Sequence, residues 1–201
     1  MNKLLIFIIP AVLFGHGNPN SSEKLIHFTS NNSIGSDSII MWTQNTPLKW
    51  SDFQAKPDTL STYRAMTFFQ IGLKFEESEN SYTLDIPTYF YKKLSWTKTQ
   101  SNIQLLKHEQ LHFDMAELMA RKIRREFSLF QVNKSDSVLY DLKKIYTKYY
   151  GPTLDEYNAK YDKETNHGTI KTKQTEWELK IKNELKTLQK YTSSKVIIKK
   201  N

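Results

Sequence analysis

The sequence predicts an α+β fold: an N-terminal antiparallel β-hairpin or small sheet packed on one long helix, followed by a helical C-terminal part. Three observations predict it. Tyr63, Ala65, Thr67, Phe69, Ile71, Leu73 and Phe75 alternate with Arg64, Gln70, Lys74 and Glu76, the period of a half-buried strand. Uninterrupted helix-forming sequence with apolar residues at helical spacing then runs to about Phe127. Beyond it, Tyr150-Gly151-Pro152 and Asn166-His167-Gly168 cut the remainder into helical segments.

The chain opens with Lys3 and an apolar run from Leu4 to Phe14, followed by Gly15 and Gly17. This reads as a secretory signal over residues 1–17, cut after Gly17. The run is too short for a spanning helix, which needs ~20 residues, so no transmembrane anchor is expected after cleavage. The expected address is export, periplasmic or secreted. The chain contains no cysteine, so stability must come from the core or from a metal. Residues 18–40, rich in Asn and Ser, read as a flexible leader, with Ile39–Trp42 as a short first strand. The domain proper is expected over 41–191.

Trp50 and Phe53, flanking Ser51-Asp52, suggest a tight turn with both rings inward. Tyr63–Phe75 reads as one strand. Glu77–Ser81 is its turn, and Tyr82, Leu84, Ile86 and Phe90 form a second strand interrupted by Pro87. Thr97 or Ser101, each with Gln three residues on, would cap the long helix. The basic run Arg121–Arg125 falls in its last turns, where cations complement the helix dipole. A helix from Ser135 should stop at Gly151-Pro152. Thr153-Leu154-Asp155-Glu156 reads as a capping box for the next, and a last helix runs from about Ile170 to Tyr191. Residues 192–201 read as a frayed basic tail. The net charge of +8 is spread along helices, reads as solvated faces, and matches no nucleic-acid module.

The chemistry lies in the long helix, in His108-Glu109-Gln110-Leu111-His112. Residues four apart share a helix face, so the two imidazoles point the same way and can grip one Zn2+. Glu109 stands beside them to take a proton from the water that the metal activates. A catalytic zinc needs a third protein ligand. Of five histidines, His16 would leave with the signal and His27 lies in the leader, which makes His167 the first candidate. Gly168 would let the backbone turn its ring onto the helix. Asp162 or Glu164 could ligate instead, leaving His167 as a transition-state hydrogen-bond donor. Asp162 could also hold the free N–H of a ligand histidine. Glu117 and Asp114 face away from the pair. Tyr161 is either the oxyanion donor or a core aromatic.

Trp50-Ser51-Asp52-Phe53, Ser95-Trp96, the zinc motif with Phe113-Asp114, Tyr161-Asp162-x-x-Thr165-x-His167-Gly168 and Gln174-x-x-Trp177 resemble the bacterial domain-of-unknown-function family 922, described as secreted zinc-dependent proteases. The resemblance spans about Leu48 to Leu188. It implies that the Tyr-Asp-x-x-Thr-x-His-Gly block travels with the zinc motif. More widely the chain resembles zincin metallopeptidases, whose motif helix lies under a sheet with a peptide-binding edge strand. It departs from them at Asp114, where an apolar residue is usual, and at Leu118, where metzincins carry their third histidine. The expectation is a zinc metallopeptidase acting on a peptide or protein. A non-catalytic envelope protein that keeps the fold, or a zinc amidase acting on cell-wall peptides, stays open at this point, as does the oligomeric state.

Overall fold

The computed structural model describes residues 3–7, 36–45, 47–132 and 137–200. The strands are β1 (Lys3–Phe7), β2 (Ile39–Met41), β3 (Ala65–Met66), β4 (Phe69–Ile71), β5 (Leu73–Glu77), β6 (Ser81–Asp85), β7 (Thr88–Tyr91), β8 (Trp96–Thr97) and β9 (Lys195–Lys199). The helices are α1 (Ile103–Ser128), α2 (Val138–Lys148), α3 (Leu154–Thr165) and α4 (Lys171–Thr187). The strands pair antiparallel in three small sheets ordered β1-β5-β6-β9, β2-β7-β4 and β3-β8. The α+β class follows directly. The expected leader and its signal cleavage point lie mostly outside the described residues, as does Ser135. Of residues 1–17, only Lys3–Phe7 is described, paired along β5.

The β5–β6 hairpin has the expected register, with Phe75 opposite Leu84 and Glu77 opposite Tyr82. The strand expected over Tyr63–Phe75 is instead three. Its inward face is right, since Ala65, Thr67, Phe69, Ile71, Leu73 and Phe75 are all buried. Its continuity is broken where Phe68 N–H donates to Ser95 Oγ, and again at Gly72, whose N–H donates to Pro87 O. A Cβ at Gly72 would sit 3.2 Å from the Pro87 ring. The first break frees Thr67 to turn toward α1. Trp50 and Phe53 are buried with ring centroids 5.0 Å apart, as the turn suggested.

α1 is the axis of the molecule. It buries apolar residues on every side, including Leu105, Leu111, Phe113, Met115, Leu118, Ile123 and Phe127, the mark of a central helix. Its cap is Asn102, whose side chain accepts Leu105 N–H at 3.0 Å; Thr97 lies in β8 instead. Arg121 and Arg124 do not simply answer the helix dipole. Both are buried and pair with Glu117, which also accepts from Thr88 Oγ1. Their remaining N–H groups reach the carbonyls of Ile86, Leu185 and Tyr191, tying sheet and C-terminal segment to α1. Removing one partner of such a network strands a buried charge.

α2 ends at Lys148, and the expected stop falls at the kink that follows, Tyr149–Thr153, where Gly151 leaves helical geometry (φ −112°, ψ −108°) ahead of Pro152. α3 starts directly after the kink, and Thr153 makes no capping hydrogen bond. The C-terminal tail is not frayed. β9 pairs along β6 with Val196 and Ile198 buried and the lysines outward. No helix among the described residues is long and apolar enough to cross a membrane.

Asp114, on the face of α1 away from the histidines, accepts Trp42 Nε1–H and Gln110 Nε2–H at 2.8 Å each. Burial pushes its carboxyl up to about 6 against these hydrogen bonds. The folded state therefore holds this proton to higher pH than the unfolded chain does, so stability falls as pH rises from about 4 through 6. The size is about 2–3 kcal/mol at ~1.4 kcal/mol per unit. Asp114→Asn keeps an acceptor for both donors and removes that fall. Urea titrations of the two proteins at pH 4.5 and 8, in the same metal state, check it. Parallel pH dependences would show that Asp114 ionises without cost.

Candidate metal centre

The helical period places His108 and His112 one turn apart, as expected, with ring centroids 4.7 Å apart. Their neighbours decide which nitrogen each presents. His112 Nδ1 lies 2.7 Å from Asn158 Oδ1. The Asn158 amide is oriented by its own N–H, which donates to Leu154 O. Gln174 Oε1 lies 3.4 Å from His108 Nδ1 and accepts Tyr161 O–H at 2.7 Å, while Gln174 Nε2 donates to Glu178. A carboxylate can only accept when ionised, so Glu178 sets the Gln174 amide with its oxygen toward His108. Each ring thus has an acceptor at Nδ1, which places the proton there and leaves Nε2 as a lone pair.

The two Nε2 atoms are 3.2 Å apart, and Asp162 Oδ1 is 3.1 Å from each. His108, His112 and Asp162 form the group among the described residues able to hold a metal. Tetrahedral zinc with bonds of ~2.0–2.2 Å spaces its ligand atoms about 3.3–3.6 Å apart, so the triangle lies within a few tenths of an ångström of the size that zinc needs. Asp162 Oδ1 is buried and makes no aligned hydrogen bond. Three acceptors converging in a buried place repel one another unless a cation sits among them. Without a metal a proton takes that place: burial opposes charge on His112, but the Asp162 carboxylate, with Glu109 and Asn158, raises it to about 9. Burial likewise opposes charge on Asp162, and the two histidines hold it well below the usual carboxylate range.

The third corner is therefore Asp162, the alternative in the sequence reading, and not His167. Asn158 and Asp162 are four apart on α3 and face α1 together. His167 stands outside the triangle. Its Nδ1 is 3.7 Å from Asp162 Oδ1, its side chain is 48% exposed, and its ring packs on Tyr63. The reason is the backbone: Asn166, His167 and Gly168 all adopt left-handed φ, 46°, 51° and 77°, which carries the ring past the pair. Gly168 packs so closely on His108 that a Cβ there would meet the His108 Cβ at 2.8 Å. Glu164 is engaged elsewhere, accepting Trp177 Nε1–H.

Tyr161 is no oxyanion donor. It is fully buried, stacks on the His108 ring at 4.5 Å, and spends its hydroxyl on Gln174 and the carbonyl of His108. Its place is beneath the His108 ring, not in the cleft. Glu109 does face the cleft, a space of about 340 Å³ that it lines with His108, His112, Asp162 and His167. Thr67 Oγ1 donates to Glu109 Oε2 at 2.7 Å.

Asn158, Gln174 and Thr67 were not assigned roles from the sequence. Gln174 lies in the Gln174-x-x-Trp177 motif, and Asn158 has the i, i+4 spacing to Asp162 that puts both on one helix face. Replacing Asn158 or Gln174 with Ala should weaken zinc binding by ~10–100-fold, read by competition with a chelating dye. Unchanged affinity in both variants would mean that the outer nitrogens do not orient the rings. Searches for related proteins find no matching family model, no matching curated protein and no matching solved structure.

Proposed function

We propose that the chain is an exported, zinc-dependent hydrolase of peptide bonds, a zincin-like metallopeptidase related to the family it resembles. The observation that carries this reading is the convergence of three unshared acceptor atoms, His108 Nε2, His112 Nε2 and Asp162 Oδ1, beside a cleft-lining glutamate. These residues fit zinc in donor type, number and spacing. Three protein ligands leave a coordination position open, as a catalytic site requires.

Bound zinc would supply Lewis acidity and a water that loses its proton near neutral pH. Glu109 is the proton carrier. Thr67 holds its Oε2, which leaves Oε1 to take the proton from water and return it to the departing amine. Asn158 and Gln174 fix the imidazoles so that their Nε2 lone pairs face inward. His167, at the edge of the cleft and not a ligand, is the donor left to stabilise the developing oxyanion. The cleft is bordered by residues 62–67, which include the short strand β3 (Ala65–Met66) and can lie along an extended peptide. The reading is tested by loading the purified chain with zinc and following a random peptide pool by mass spectrometry, with Glu109→Gln alongside. A pool left intact by the zinc-loaded chain overturns it.

A further inference from the structure

We propose that the cleft selects peptides carrying a carboxylate near the bond to be cut, and that Arg64 and Lys98 receive it. The inference rests on the hydrolase reading above and names its substrate class. Among the residues lining the cleft, the charged ones are Arg64, Glu109 and Asp162. The two carboxylates balance the charge of one zinc ion, so the Arg64 guanidinium is the charge left over.

Its surroundings make it more than a solvated arginine. Ala65 pairs with Thr97 across β3 and β8, and Lys98 N–H donates to Arg64 O at 2.8 Å. Arg64 and Lys98 are therefore cross-strand neighbours. Residues directly opposite in an antiparallel pair project from the same face, and like charges there are destabilising. No described carboxylate relieves this pair. Arg64 is exposed and forms no ion pair among the described residues. The Lys98 ammonium turns to the carbonyl of Ser61 and lies 5.7 Å from the centre of the Trp96 ring. Arg64 lines the cleft and Lys98 stands beside it as its cross-strand neighbour; two cations without a carboxylate partner form a receptor for one, with the planar guanidinium able to bind it through two parallel hydrogen bonds.

The carboxylate could belong to a Glu or Asp side chain or to a peptide C-terminus. Three fluorescein-labelled heptapeptides separate these: one with a central Glu and an amidated end, its Gln counterpart, and the Gln peptide with a free C-terminus. Binding is read by anisotropy on the zinc-loaded full chain carrying Glu109→Gln, which spares the probes and is common to every arm. At about 50 mM salt, where the screening length is long, one of the two carboxylate peptides should bind roughly 3–10-fold tighter than the amidated Gln peptide. The advantage should shrink in about 0.5 M salt. Arg64→Gln and Lys98→Gln should each reduce it and the double variant abolish it. Both side chains are exposed, so the fold should survive, as circular dichroism will report. Equal binding of all three peptides, no binding of any, or a preference that outlasts the double variant overturns the proposal. A chain that cleaves peptides without charge preference fails this inference alone. One that binds with the preference but never cleaves fails the hydrolase reading alone.

Discussion

Glu109→Gln should leave zinc bound and lower kcat for peptide hydrolysis by about 10²–10⁴, the range for loss of a positioned general base. The substitution is nearly isosteric. The amide oxygen can still accept the Thr67 hydroxyl that now holds Oε2, so the side chain should keep its place at the cleft wall. What disappears is the lone pair basic enough to take a proton. The His108, His112 and Asp162 donors are untouched, so zinc content should match the wild type. Full activity in a zinc-loaded Glu109→Gln protein would remove Glu109 from the mechanism. Loss of zinc together with activity would recast it as part of the metal's support.

The second large effect separates Asp162 from His167. Asp162→Ala removes one of three donors that meet within 3.2 Å of one another. It should weaken zinc binding by more than the ~10–100-fold typical of changes outside the ligand set. His167→Ala should keep zinc affinity within about tenfold while lowering kcat by ~10²–10³, as for a lost oxyanion donor. Chelator competition gives the first quantity and steady-state kinetics the second. The pH profile adds a further mark. Because His112 is held protonated up to about 9 in the absence of metal, zinc must displace that proton, so affinity should rise by about tenfold per pH unit until then. The opposite pattern, with zinc lost in His167→Ala and kept in Asp162→Ala, would restore the histidine triad.

Much of the architecture was legible because local periods are strong. Alternation marked the buried face of residues 63–75, and the β5–β6 hairpin followed from Tyr82 and Leu84 against Glu77–Ser81. The breaks within that face were not legible. They depend on Ser95, Pro87 and α1, all distant in sequence, capturing backbone or side-chain groups that a continuous ladder would have used. β9 was missed for a related reason. Its lysines read as a solvated tail, and only the open edge of β6 gives Val196 and Ile198 somewhere to go. Arg121 and Arg124 looked like surface cations until Glu117, one and two helical turns before them, was seen buried in the same seam.

The 3.6-residue period by itself puts His108 and His112 on one face with Glu109 beside them, because that relation is contained in a single helix. The third donor is a relation between two helices. Counting histidines favoured His167, since the sequence carries no record of how the left-handed turn after Thr165 aims that ring. Packing of α3 on α1 brings Asp162 and Asn158 to the pair, and Gly168 allows the close approach that sends His167 past it. Residue chemistry thus supplied the two histidines and the base. The tertiary structure brought the Asp162 carboxylate, not the His167 ring, within reach of both imidazoles, because ångström-scale convergence between helices is encoded by no local propensity.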